Sequence, residues 1–500
     1  MQNTLGSQSG IVYLKSKFFL VRVLTYFSFL LIPILIPKTL ELSSPGQAFA
    51  IGLYILFICG QWFFLGKEID HRFKIYFRVN SSIDRLVYRL FLGMFFFIIY
   101  FNILSLVPSS KWTYNFFWIT WISLGIFYSW PTRGKIIKES VTSNFSEFRY
   151  LDSFEKTLVG LTIIMFILSL PELPELTNPE ALKLYFDPSE RVNEILWRFV
   201  KVNYYPFLKY PQLVRLAWCL HYYFINLGLF LFCFYALLRF FVSRRLSLLG
   251  VFGLLSSWSW SQLLMGEFGI SLSSTYSLLW IWTMLWVTRS STYRTGLFLG
   301  LVGFYGTLIN YQWWFLWFPQ LLLMYFFLNK KTTWFKKQTL RYSLFGLLLT
   351  IVALVSHSNL DQSYINLDFN YVLNLFGIFK RKAFFILSPF GFLLSFWCCF
   401  KVSSNLNRQL KLDDTYLQQL GIGCLILSLY DFFSTSGIFS GFSFMWILTI
   451  FSLIPIELIF QKMSRLRSKR NIVYLFYILI CLLDSHFEER VKIFLRSLGM

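Results

Sequence analysis

Charge is scarce in this chain, and negative charge scarcer still: of 500 residues only 14% are charged, with 24 acidic side chains against 46 basic ones. Soluble domains carry about 25% charged residues, so a fully solvated surface cannot be made from this composition. Cysteine is sparse as well. The seven (Cys59, Cys219, Cys233, Cys398, Cys399, Cys424 and Cys481) all fall in apolar blocks with no CxxC pair, which excludes a zinc ribbon or a disulfide framework and makes them small buried hydrophobes. There is no phosphate-binding glycine loop, no HExxH and no GxSxG elbow. Those absences argue against P-loop ATPases, zinc proteases and serine hydrolases.

What is present is apolar and aromatic: 56% hydrophobic residues, 21% Phe, Trp and Tyr. Apolar blocks long enough to cross a bilayer recur from end to end, and each is read as one helix because open backbone is not tolerated against lipid. About fifteen are expected, centred in 18–36, 48–66, 87–107, 112–130, 156–170, 213–238, 246–264, 271–288, 295–309, 312–328, 341–355, 383–400, 417–433, 442–460 and 472–484. Phe18 to Ile36 follows Lys15 and Lys17 without a small-residue cleavage site, so it is expected to be a retained first helix. The expected fold class is all-α: a polytopic membrane protein with an amphipathic helix on its outer surface.

The net charge of +22 gives that arrangement a direction. With the N-terminus in the cytoplasm, the internal loops become Lys67–Arg89, Arg133–Lys156, Arg239–Arg245, Arg289–Arg294, Lys330–Arg341, Lys401–Lys411 and Lys462–Arg470, and nearly every dense Lys/Arg cluster lands on one side. Positive loops mark the cytoplasmic face, and this accounts for the basic residues better than a nucleic-acid partner, which is not expected. A bacterial inner (plasma) membrane is the expected location. The chain divides into an accessory four-helix unit with a charged link (1–155), a transmembrane core (156–485) and a surface tail (486–500). The first four helices suit contacts with a membrane protein partner.

Two long segments fall on the opposite face, Pro171–Pro211 and Ser356–Lys382, and loops of that length between packed helices usually carry function or are disordered. The first is too apolar for disorder. Its stretch Arg191 to Val202 sets Val192, Ile195, Leu196, Phe199 and Val200 at helical spacing opposite Arg191, Glu194, Arg198 and Lys201, the pattern of a helix lying on a membrane surface. The acids Glu172, Glu175, Glu180 and Asp187 stand where the chain leaves the fifth span. A carboxylate beside an apolar pocket can have a raised pKa and act as a general base on a hydroxyl; the plainer reading makes each a solvated loop charge or a cap, as Asp187 before Pro188 would be. Arg381 and Lys382, with Lys380, put positive charge on the face that positive-inside bias disfavours. Arg215 at the outer mouth of the sixth span joins them, and either a phosphate-bearing ligand or anionic headgroups would explain the set. Tyr185, Arg191, Glu267 and His357 complete the candidate substrate-binding residues. No ligand cluster for a metal is seen, although a divalent ion is compatible with phosphate chemistry. Glu457, near the cytoplasmic end of its span, is expected to serve a Lys or Arg as a structural partner.

From about 156 to 460 the pattern resembles the GT-C superfamily of integral-membrane glycosyltransferases. The resemblance is carried by Ser256–Leu328, where Met265-Gly266-Glu267 is followed by a span, a basic turn at Tyr293-Arg294-Thr295-Gly296, the run Leu297 to Leu301 and Trp317-Phe318-Pro319. Ser440 to Phe444 before a span containing Pro455 is similar to the family's last core helices. Many members place an acidic pair and a tyrosine after the first core helix; the nearest equivalents here are Glu172, Glu175 and Glu180 with Tyr185. The resemblance implies transfer of a sugar from a polyprenyl-phosphate donor, in membrane lipid, to a glycan, lipid or protein acceptor on the non-cytoplasmic face. Residues alone leave open a non-enzymatic alternative, a transporter or flippase for a lipid-linked substrate or a scaffold subunit.

Overall fold

The computed structural model describes residues 59–70 and 85–96 in part, 150–169, 171, 227–256 except 240, 260, 278, parts of 449–460, 469–484 and 487–497. The described residues are overwhelmingly helical and contain no strand, as an all-α fold requires. The chain divides into two compact units, Met1–Tyr150 with Pro179–Ile225 and Leu151–Asn178 with Asn226–Met500.

In the first unit, helical residues between positions 59 and 70 cross those between 85 and 96. The crossing is made by glycine. A Cβ on Gly66 would strike the carbonyl of Arg89, and a Cβ on Gly93 would strike the carbonyl of Trp62. Each glycine thus seats the backbone of the other helix, and this close approach needs residues without side chains. Trp62, Val87, Tyr88 and Phe91 are buried around the crossing. Arg89 Nε donates to Asp70 Oδ2 at 3.4 Å. The helices therefore run antiparallel, with position 70 beside 89 and 62 beside 93. Lys67, Asp70 and Arg85–Arg89, expected in an internal loop, are helical, because pairing at the helix ends lets charged residues extend the helices beyond their apolar stretches.

In the second unit five helices have defined bounds. Helix α1 is Ser153–Leu168, α2 Gly228–Leu238, α3 Arg244–Ser256, α4 Arg470–Asp484 and α5 Phe487–Ser497. The start of α1 is written in Asp152-Ser153-Phe154-Glu155: the Asp152 carboxylate accepts the Glu155 N–H at 2.8 Å and the Glu155 carboxylate accepts the Asp152 N–H at 3.0 Å. This reciprocal cap satisfies two donors that a helix N-terminus otherwise leaves orphaned. Helix α2 is apolar around its whole circumference, and eight of its eleven residues are buried, as expected of a helix with no polar face to show to water.

Helix α3 is the centre of this unit and packs on α1, α2 and α4. Side-chain contacts fix the sense of each neighbour. Glu155 at the start of α1 meets Arg244 at the start of α3, and Ser169 just beyond α1 meets Trp260 just beyond α3, so these two are parallel. Helix α4 runs the same way: Tyr474 near its start lies against Phe154 with ring centroids 5.6 Å apart, and Tyr477 one turn later faces Gly253. Helix α2 runs back, with Phe230 near its start 6.4 Å from Trp260. The helical residues between 449 and 460 also run back, since Leu453 faces Gly250 while Glu457 accepts the Ser243 N–H at 3.0 Å. Among the described residues no single helix is both long and apolar enough to cross a bilayer; α4 and α5 reach that length and composition together, with a 55° bend between them.

Candidate functional site

The sequence-derived candidates Glu172, Glu175, Glu180, Tyr185, Asp187, Arg191, Arg215, Glu267, His357, Arg381 and Lys382 lie outside the described residues. The described structure does reach the ends from which two of these segments start. Trp260 Nε1 donates to Ser169 Oγ at 3.2 Å in a buried bond, and the Trp260 ring lies against Phe166 and Phe230 with centroids 6.3 and 6.4 Å away. Ser169 Oγ in turn donates to the Phe166 carbonyl at 3.0 Å. A buried indole N–H that finds a hydroxyl fixes both partners, since leaving either without a bond would cost about 1–3 kcal/mol. The tie therefore holds the exits of α1 and α3 side by side. Glu172 follows Ser169 by three residues and Glu267 follows Trp260 by seven.

The opposite ends of the same helices carry a charged cluster of which inspection of the sequence singled out only Glu457. Glu155 is buried, and Arg244 grips both its oxygens, Nε to Oε1 at 2.8 Å and NH2 to Oε2 at 2.6 Å. Beside it Arg245 pairs with Asp152. Two arginines in the first turn of α3 face the positive end of that helix's dipole, an unfavourable placement on its own. The two carboxylates capping α1 reverse the sign of the local field, so the parallel helices stabilise each other's N-termini. The carboxylate of Glu155 holds the Arg244 guanidinium above its ordinary pKa, through the hydrogen bond first and, against the opposing effect of burial, through charge. Glu457 closes the group from a third helix by accepting the Ser243 N–H at the N-cap of α3. The signals that would have found this cluster are the Asp-x-x-Glu spacing of a capping box and the adjacent Arg244-Arg245 at the head of an apolar run.

Chemically the cluster clamps helices together. Glu155 accepts from Arg244 and from a backbone N–H, and Asp152 from Arg245 and a backbone N–H, so neither carboxylate is held ready to take a substrate proton. Among the described residues no group of three His, Cys, Asp or Glu side chains could hold a metal ion. No family model, curated protein or solved structure matches the chain.

The clamp has an expected acid limit. Partial burial pushes the Asp152 carboxyl up, but the Glu155 N–H, the Arg245 hydrogen bond and the charges of Arg245 and Arg244 outweigh it and leave the group below its ordinary 3.8. A depressed folded-state pKa contributes stability that is fully present above the unfolded value and is lost as pH falls through the folded one. The side chain is 37% exposed, so screening keeps its worth within about 1 kcal/mol. In a stability–pH curve, Asp152→Asn should lower the plateau at neutral pH and flatten the fall that begins below pH 3.8 in the parent. An unchanged acid limb would show that the pair contributes nothing.

Proposed function

We propose that the chain is a polytopic membrane protein of about fifteen spans and that it transfers a sugar from a polyprenyl-phosphate donor to an acceptor on the non-cytoplasmic face. One observation carries the membrane reading. The three helices α1, α3 and α4 run one way and α2 and the 449–460 residues the other, so Asp152, Arg239, Arg244, Arg245, Lys469 and Arg470 gather at one end. An alternation of this kind, with basic residues at one end, supports a reading of these helices as successive spans under the positive-inside rule. It involves the links 133–156, 239–245 and 462–470, whose charge assigns them to the cytoplasm.

Support for sugar transfer comes from the other end. There the Ser169–Trp260 bond joins two helix exits, and the segments that continue from them bear Glu172, Glu175 and Glu267. The pattern resemblance to GT-C enzymes falls on the same segments. In the proposed reaction one carboxylate among Glu172, Glu175, Glu180 and Asp187 takes the acceptor hydroxyl proton as that oxygen bonds to the anomeric carbon. The bond from that carbon to the donor phosphate oxygen breaks, and the phosphate keeps the electron pair. Arg215, Arg381 and Lys382 would stabilise the leaving polyprenyl phosphate, with Tyr185, Arg191, Glu267 and His357 holding donor and acceptor. The donor bond is already activated, so orientation, charge stabilisation and one base suffice.

Two measurements test this. Single cysteines at Asn193 and Asn366 should react with an impermeant reagent from the non-cytoplasmic side and one at Ser143 should not; the reverse pattern refutes the topology. Purified protein supplied with radiolabelled polyprenyl-phosphate sugars should transfer label, and Ala at one of the four acids should lower the rate by about 10²–10⁴-fold, the usual worth of a general base. Four fully active variants would remove the base from this loop, and neither transfer nor binding with any donor would overturn the activity.

A further inference from the structure

Helix α4 has two apolar faces and the protein covers one. Tyr474, Tyr477, Ile478 and Cys481 are buried, while Ile472, Leu475, Phe476, Leu479 and Leu483 are each more than half exposed. The exposed set follows helical spacing from 472 to 483, a strip about 16 Å long at 1.5 Å per residue. No polar side chain interrupts it.

Helix α5 is built differently. Arg490 is turned inward, its guanidinium donating to the Leu255 carbonyl at 3.1 Å in a buried bond. Leu255 lies in the last turn of α3, where carbonyls lack intrahelical donors and the helix dipole is negative, so a cation there is well placed. Glu488, Glu489, Lys492 and Arg496 are exposed on the outer side, with Lys492 Nζ 2.6 Å from Glu488 Oε1. Partly exposed Phe487, Ile493 and Leu495 fall between the protein-facing side and this charged side at about 100° per residue, Phe487 and Leu495 on one flank and Ile493 on the other. Helix α5 thus shows three surfaces, one to protein, one apolar and one to water.

The geometry points to a lipid bilayer as the occupant of this surface: the exposed strip of α4 stands in hydrocarbon, and α5 lies in the headgroup layer, turned there by the 55° bend and pinned by Arg490. Charge complementarity favours lipid over a second copy or another protein. Exposed Lys469, with Arg470, bounds one end of the strip and the charged side of α5 bounds the other, so both ends meet headgroups while the middle meets only apolar groups. Interfacial helices have this division into a charged and an apolar face. The inference rests on the membrane reading above and is independent of sugar transfer.

The test uses the full-length chain in phosphatidylcholine–phosphatidylglycerol vesicles. Spin labels are placed singly at Leu475, Leu479, Leu483 and Lys492 after replacement of the native cysteines, and collision with oxygen and with a nickel chelate is measured. The three strip positions should be several-fold more accessible to oxygen than to nickel, and position 492 the reverse. Arg490→Ala should shift the balance at 492, and Arg490→Lys should shift it less. Strip labels shielded from both reagents would mean a protein cover, and labels open to nickel would mean water; either overturns the proposal. Should the cysteine-depleted chain fail to fold, a benzophenone side chain at Leu479 in the otherwise native protein decides it: adducts with lipid support the assignment, while adducts with protein or none overturn it. A chain that resists alkaline extraction yet fails these tests would leave the membrane reading standing and refute this surface alone.

Discussion

Gly66→Ala should be among the most damaging single-methyl additions in the described parts of this protein, costing about 3 kcal/mol or more in denaturant unfolding. Alanine is the better helix former by about 1 kcal/mol, so the sign depends on what the new methyl meets. At Gly66 it meets the Arg89 carbonyl and the Gly93 nitrogen, both backbone. Neither can turn aside without separating the two helices, and separation undoes the packing of Trp62, Tyr88 and Phe91 together. Overpacking typically costs about 1–3 kcal/mol where side chains can adjust, and here none is available to do so. Gly250 and Gly253 supply the control. The nearest atoms to their added methyls belong to the side-chain ends of Leu238, Leu453 and Tyr477, which can shift where backbone cannot, so G250A and G253A should cost about 1–3 kcal/mol, less than G66A. If G66A unfolds at the same denaturant concentration as G250A, the glycine crossing is not what holds the first unit together.

The second large effect belongs to Arg244 and is asymmetric. Breaking a buried ion pair from one side costs about 3–5 kcal/mol because the remaining charge is stranded. Which charge is stranded matters here, since the Arg244 side chain is 30% exposed and that of Glu155 only 3%. Glu155→Ala leaves a long cation that can swing into water, whereas Arg244→Ala leaves a carboxylate enclosed. Arg244→Ala should therefore cost about 3 kcal/mol and Glu155→Ala about 2, the latter including its share of the α1 cap. The double variant should cost clearly less than their sum, as coupled residues do. Equal and additive losses would show that the two side chains act separately.

The positions of the described helices of the second unit were largely legible in the chain, and their partners were not. Apolar blocks centred on 156–170, 246–264 and 472–484 locate α1, α3 and α4, which begin at Ser153, Arg244 and Arg470. The early starts of α1 and α3 come from charged residues that join a helix once they have a partner: Glu155 with Arg244, Asp152 with Arg245. What the pattern could not supply is facing. Helix α2 is apolar all round, so nothing in Gly228–Leu238 says which side meets α3. The tie between Ser169 and Trp260 joins residues 91 apart, and that between Arg490 and Leu255 joins residues 235 apart; no local spacing encodes either. Of the candidate site, the sequence named acids and bases in segments that loop charge leads one to expect on a single face. The structure adds the bond that fixes two of the helix exits leading to them.

That last separation bears on how the molecule is made. Ribosomes complete α3 about two hundred residues before the helices that cover it, because its N-cap waits for Glu457, its Gly253 notch for Tyr477 and its final carbonyls for Arg490. The pairing with α1 can form early, from residues 89 apart, and hold the start of α3 in the meantime. During that interval one flank of α3 stands open, so a chain halted at this stage would leave the apolar side chains of that flank uncovered.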